Sequence, residues 1–83
     1  MRPGETLLQM VHRHVDEGER HVREQTELVA RLAAAQSGCL DEARAVLAMF
    51  QSTQAAHERH RDQIEDEIRT GIRDAAGQLL PLS

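Results

Sequence analysis

The stretch HVDEGERHVRE, residues 14–24, repeats a His-Val pair at a seven-residue interval. Each His has a Glu three residues on: His14 with Glu17, and His21 with Glu24. A second group follows in HERH, where His57 and His60 lie three apart. Imidazole is the commonest ligand for zinc, nickel, copper and iron, and helical bundles build such sites from facing helices. His14, His21, His57 and His60 therefore form one candidate metal-ligand set, with Glu17 or Glu24 able to complete a coordination sphere. The spacing matches no strong motif. HExxH is absent, and no Glu is followed three residues later by His, the order that carboxylate-bound di-iron bundles use. Two other readings of the same residues stand beside the metal. Buried His and Gln that hydrogen-bond between helices fix register and partner at a cost in stability. Clustered imidazoles also charge together below about pH 6.5 and repel, which would make a pH-sensitive seam.

Helices must carry these side chains. Leu8, Val11, Val15, Gly18, Val22, Gln25, Val29 and Leu32 follow one another at alternating steps of three and four, the beat of a helix seam in a coiled coil or bundle. A second row, Leu7, His14, His21, Leu28 and Ala35, runs beside it at seven-residue steps. The apolar face is therefore wider than a two-stranded seam and suits a bundle of three or more helices. Thr6 and Gln9 fit a capping box at the start, with Pro3 as an alternative first helical residue. Three acid-before-base pairs at i,i+4 lie on the far side: Asp16–Arg20, Glu19–Arg23 and Glu27–Arg31. The spacing predicts a first helix over about 5–36.

AQSGCLDEA breaks the pattern, and Gly38 suits the left-handed position just past a helix end. Asp41 and Glu42 then fall in the first turn of a second helix, where negative charge complements the dipole. Its inward stripe reads Ala43, Val46, Leu47, Phe50, Thr53, His57, His60, Ile64, Ile68, Ile72 and Ala75. Gly77 and Pro81 end it, which places the helix over about 40–76, with Gly71 inside as a point of fraying or kinking. A short tail, 77–83, either folds back on the bundle or stays loose.

Folded at Gly38, residues face each other when their numbers total about 76. His14 then falls within a turn of His60, and His21 lies half a turn from His57. A belt of polar or small residues, His14, Gly18, His21, Gln25, Thr53, His57 and His60, separates two apolar zones. Leu28, Val29, Leu32, Val46, Leu47 and Phe50 lie near the loop; Leu7, Leu8, Val11, Ile64, Ile68 and Ile72 lie at the open end.

Length and composition bound the rest. The 83 residues make one domain, 1–83, with one Phe, no Trp or Tyr, and a single cysteine, Cys39. No internal disulfide can form, which suits a reducing, cytoplasmic setting. The net charge of −4 argues against nucleic acid as a partner. The longest apolar run, AVLAMF, is far short of a membrane span, and MRPGETLLQ lacks a signal-peptide core. All ten basic residues are Arg, which with eleven Ala reads as coding bias. No phosphate loop is present, and Cys39 reads as a plain loop residue, so no enzymatic activity is expected. No cofactor is expected unless the histidines hold a transition metal.

A core this small needs a partner. The expected fold is all-α: an antiparallel helical hairpin that dimerises into a four-helix bundle. The competing architecture is a monomeric three-helix bundle with the first helix broken at Gly18. The expected function is a non-enzymatic, oligomeric interaction or accessory module, as a homodimer, with an unknown second protein as a further candidate partner. The alternative is a small His-rich metal-binding bundle.

The runs HVDEGERHVREQTELVARL, SGCLDEARAVLAMF and TQAAHERHRDQI resemble a group of short bacterial two-helix proteins over about residues 10–68. That group shares an E-G-E-R-H-type first helix, a Gly turn, an A-x-x-x-L-x-x-F second helix and a closing H-x-x-H-R. The resemblance implies a two-helix unit and brings no catalytic role with it. Cys39 stands where the group often has a polar residue, which removes a strong side-chain cap.

Overall fold

The computed structural model of the chain describes residues 2–81. Two helices, α1 (Leu7–Ala34) and α2 (Leu40–Arg69), pack against each other as an all-α hairpin. Its extents are 62 × 22 × 14 Å, so the hairpin is about one helix thick in its shortest direction. Helix α1 runs unbroken through Gly18, which removes the three-helix alternative. The only pairing of extended backbone among the described residues is an isolated bridge between Arg73 and Leu79. Among them, too, no helix is long and apolar enough to cross a membrane.

The start of α1 is held three ways. The Thr6 hydroxyl accepts from the Gln9 N–H at 3.1 Å, and the Gln9 amide oxygen accepts from the Thr6 N–H at 2.9 Å. This completes the capping box. Pro3 stays outside the helix, in a turn. Glu5, just before the cap, takes a two-pronged bond from the Arg13 guanidinium, at 2.7 and 3.0 Å. Arg13 also reaches Glu17, its i+4 neighbour, at 3.3 Å, and Arg2 lies 3.5 Å from the same carboxylate. The pairs Asp16–Arg20, Glu19–Arg23 and Glu27–Arg31 do not close among the described residues. The ion pairs that form there gather instead around Arg13, at the end of α2 and across the open end.

The turn departs from expectation. Gln36, at φ 51°, occupies the left-handed position, and Gly38 does not. The Gln36 N–H donates to the Ala33 carbonyl at 3.2 Å, and the Ser37 N–H to the Leu32 carbonyl at 3.0 Å. This pair of bonds is a Schellman ending, with its left-handed residue two positions earlier than Gly38. Cys39, the residue before α2, makes no side-chain cap. Its own N–H is satisfied by the Ser37 hydroxyl at 3.1 Å. Asp41 and Glu42 fill the first turn of α2, as their charge suits.

Helix α2 ends at Arg69, not near residue 76. Gly71 takes φ 81°, its N–H bonds the Ile68 carbonyl at 3.2 Å, and the Ile72 N–H bonds the Glu67 carbonyl at 2.8 Å. The same Schellman geometry recurs here with glycine in the strained position. Ile72 is consequently exposed and Ala75 lies outside the helix, so neither extends the stripe. The following segment folds back. Asp74 gathers the N–H groups of Ala76 and Gln78, each at 3.0 Å. Arg73 pairs with Glu67 and reaches the Gly77 carbonyl at 2.8 Å. Gly77, at φ 93°, presses on Leu7 so closely that a Cβ there would sit 2.3 Å from the Leu7 Cβ. The Ala76 carbonyl accepts the Leu7 N–H at 3.2 Å. The tail thus satisfies one of the donors that the start of α1 leaves open. The last two residues of the expected 77–83 tail lie outside the described residues.

The buried apolar side chains are Val11, Val15, Ala43 and Ile64. Leu8, Val22, Val29 and Leu32 of α1, and Val46, Leu47, Phe50 and Ile68 of α2, are only half-buried. Two helices share one seam, and the flanks of a wide apolar face stay partly wet.

Two outcomes test this architecture. Gln36→Gly removes a left-handed non-glycine residue that costs about 1 kcal/mol and is expected to raise stability by up to that amount in urea denaturation. A loss of stability would show that the turn is held otherwise. Arg13 holds the Glu5 carboxyl down to about 2, from an ordinary value of 4.5. The ionised form is favoured in the fold, so its contribution is complete above about pH 4.5 and fades as pH falls toward 2. Glu5→Gln is expected to flatten the acid limb of melting temperature against pH in that window. An unaltered limb would assign the acid sensitivity to other carboxylates.

Candidate functional site

Moving the turn from Gly38 to Gln36 resets the register. Facing numbers total 71 rather than 76: His14 faces His57, with ring centroids 5.2 Å apart, and His21 faces Phe50 at 5.7 Å. These two ring pairs stack one heptad apart along one edge of the seam. His60 is exposed and does not meet His14. Thr53 is exposed as well, though it lines the rim of the cleft. The inward stripe of α2 runs Ala43, Leu47, Phe50, Gln54, His57, Arg61, Ile64 and Ile68, each at least half-buried. It keeps the alternation of three and four, and passes through Gln54 and Arg61 where the apolar reading had taken Thr53 and His60.

Gln54 is the buried polar residue that sequence reasoning missed. Its carboxamide lies across Gly18: a Cβ on Gly18 would fall 1.7 Å from the Gln54 Oε1. The absent side chain uncovers the carbonyl one turn back, and Gln54 Nε2 donates to the Val15 oxygen at 2.9 Å. Gln25 makes the reciprocal bond, its Nε2 donating to the Ala43 carbonyl of α2 at 2.9 Å. Two glutamines, one from each helix, thus tie each helix to the other's backbone. The available signal was Gly18 itself. A glycine on a seam asks which side chain fills its place, and the four-residue step from Phe50 leads to Gln54.

Between the ring pairs lies a small cleft of about 80 Å³, lined by His14, Glu17, Gly18, His21, Phe50, Thr53, Gln54 and His57. Its polar inventory is three imidazoles, a carboxylate, a hydroxyl and an amide. Gln54 Oε1 is buried and has no hydrogen-bond partner, so one residue of the cleft lining carries an unsatisfied acceptor. Burial holds the His14 imidazole below its ordinary value, and Arg13 and His57 push the same way, against weaker opposing pulls from Glu17 and Glu5. His14 is therefore neutral at pH 7, with a lone pair to offer. Glu17 is engaged by Arg13, whose guanidinium holds the carboxyl below the usual range.

The structure brings together two of the four candidate ligands, His14 and His57. His21 lines the same cleft but lies against Phe50, and His60 stands apart. Glu24 is exposed and does not line the cleft. No group of three His, Cys, Asp or Glu among the described residues is placed to hold one ion. At the open end, His12, on the polar side of α1, lies 2.7 Å from Glu65 across the helices. Cys39 is exposed at the loop.

No protein-family model, no curated protein and no solved structure matches the chain.

The Gly18–Gln54 contact gives a sign test. Gly18→Ala alone drives the carboxamide off Val15 and is expected to cost about 1–2 kcal/mol through the displaced amide. In a Gln54→Ala background the same change removes a mid-helix glycine and is expected to gain up to about 1 kcal/mol. Urea denaturation of the four proteins of this cycle measures both. Equal effects in the two backgrounds would sink the assignment of Gln54 to Gly18.

Proposed function

We propose that this chain is a non-enzymatic interaction module whose working form is a homodimer, two hairpins forming a four-helix bundle. The observation that carries it is the unequal finish of the two halves of the core. At the open end, Val11, Val15 and Ile64 are buried in the seam between the helices and the returning tail closes over Leu7, although Ile72, Leu79 and Leu80 of that tail stay exposed. In the loop half, only Ala43 is buried. Leu28, Val29, Leu32, Val46, Leu47 and Phe50 stand half-exposed there, and Met49 is 58% exposed beside them. Scattered exposed apolar residues are ordinary, but a contiguous set along two adjacent helices marks an association surface.

A second copy is the occupant that fits best. A stripe with a seven-residue repeat packs against another of the same repeat, and a two-fold axis lets one patch serve both partners. Association would also supply the burial that a chain of this size lacks alone. The exposed thiol of Cys39 suits a reducing compartment such as the cytoplasm. An accessory role toward a second protein would use the outer surface of such a bundle.

Sedimentation equilibrium at micromolar concentration is expected to give twice the chain mass of 9.3 kDa. Leu47→Arg, which puts a charge in the half-exposed loop patch, is expected to return the mass to that of one chain while helicity is retained. A single-chain mass for the unaltered protein, with full helicity and a cooperative melt, would overturn the proposal.

A further inference from the structure

We propose that His14 and His57 chelate one borderline divalent transition-metal ion, of the class of Zn²⁺ or Ni²⁺, across the two helices within a single chain. The separation of the rings is the first argument. A bound ion lies about 2.1 Å from each imidazole nitrogen, which itself lies roughly 1.1 Å from its ring centroid. Two such arms opened at about the tetrahedral angle put the centroids roughly 5.2 Å apart. The centroids of His14 and His57 stand 5.2 Å apart before any ion is considered, with the rings tilted at 51°. Van der Waals packing alone allows ring pairs anywhere between about 4.5 and 7 Å.

The second argument is independent of the histidines. Gln54 Oε1 is buried without a hydrogen-bond partner, and Gln54 is one of the residues that line this cleft, as it also lines a second one beside Glu19, Arg23 and Glu58. A buried orphan acceptor calls for a donor, and water on a metal ion is a strong one. Two imidazoles leave the other positions of a tetrahedral ion to water, and the cleft has room for it at about 80 Å³. Glu17 lines the cleft three residues on from His14 and is the one carboxylate there, now committed to Arg13. The site therefore has two protein ligands, with an orienting amide beside them. His21 and His60 have no part in it.

The helix pair holds the two rings at a separation that a chelate can use. His14 and His57 come from different helices, so an ion on both clamps α1 to α2 and binds the folded hairpin in preference to the unfolded chain. Both ligands belong to one chain, so the site is independent of dimerisation, and either idea can fail alone.

The test is titration of the metal-free, full-length protein with Ni²⁺, followed by NMR of the five imidazoles, and with Zn²⁺ by calorimetry. The expected result is that the ring protons of His14 and His57 broaden first with Ni²⁺, while those of His12 and His60 follow only at higher concentration. Zn²⁺ should bind one ion per chain and raise the melting temperature. His57→Gln and His14→Gln, which keep the volume, should each weaken Zn²⁺ at least about tenfold, since loss of an outer-shell partner alone costs that much. His60→Gln should leave affinity unchanged. A melting temperature indifferent to Zn²⁺ would overturn the proposal. So would simultaneous broadening of all five histidines, or an equal loss of affinity from His60→Gln.

Discussion

Inside an α-helix the carbonyls are covered by their own hydrogen bonds and by the side chains one turn on. A missing side chain gives a second helix a direct way to bond to that backbone. Gly18 opens such a gap, and Gln54 of α2 fills it, donating to Val15 at 2.9 Å. The bond sets distance and register together. With Gln54 level with Gly18, His57 must come level with His14, Phe50 with His21, and Gln25 within reach of the Ala43 carbonyl. A slide of one heptad would bring Leu47 or Arg61 opposite Gly18 and take the carboxamide away from the Val15 carbonyl. Apolar contacts between two striped helices are nearly degenerate to such slides, whereas a directed bond to one carbonyl is not.

The hairpin finishes its two ends by different means. At the open end the chain does the work itself. Gly71 stops α2, Asp74 organises the turn that follows, and Ala76 and Gly77 come back to cap Leu7. The returning segment must approach within contact of Leu7, and only glycine at position 77 permits both that distance and φ 93°. The ion pairs of Arg13 with Glu5 and of Arg73 with Glu67 hold the two approaching strands of chain in place. At the loop end no third segment exists to play this part. The turn at Gln36 is tight, and the apolar side chains flanking it keep one side open. The same sequence thus buries its helix seam more fully at the open end than at the loop end, while Ile72, Leu79 and Leu80 of the returning segment stay exposed.

Much of this was legible in the residues. The heptad beat of α1, its capping box at Thr6 and Gln9, the unbroken passage through Gly18 and the antiparallel pairing follow from period and cap chemistry alone. What escaped detection escaped for identifiable reasons. The inward stripe of α2 includes Gln54 and Arg61, and a search for apolar periodicity slides past polar residues to Thr53 and His60, which point outward. Gln36 carries no turn signal, while Gly38 carries a strong one, yet the Schellman bonds from Gln36 and Ser37 close before Gly38 is reached. That shift of two residues in the fold point moves every facing pair by about one helical turn and exchanges His60 for His57 as the partner of His14. At Gly71 the reverse holds: Ile72 and Ala75 continue the phase beyond it, so the pattern suggests fraying or a kink inside the helix where the helix in fact stops. Periodicity reports which face a residue would take if the helix continued; it does not report whether the helix continues.

The polar belt is expensive in a molecule with so little core. A buried amide with one unsatisfied oxygen, a half-buried imidazole pair and a bare glycine occupy the middle of the seam, where Leu or Val would bury more surface. Such a layer persists in a small helical protein when it supplies something apolar packing cannot. Register is one such return, and Gln54 with Gln25 already delivers it without any histidine. The imidazoles of His14 and His57 are therefore surplus to alignment. Their shared position beside Gln54, in a polar cleft between the helices, is the arrangement that a bound cation with its water would complete.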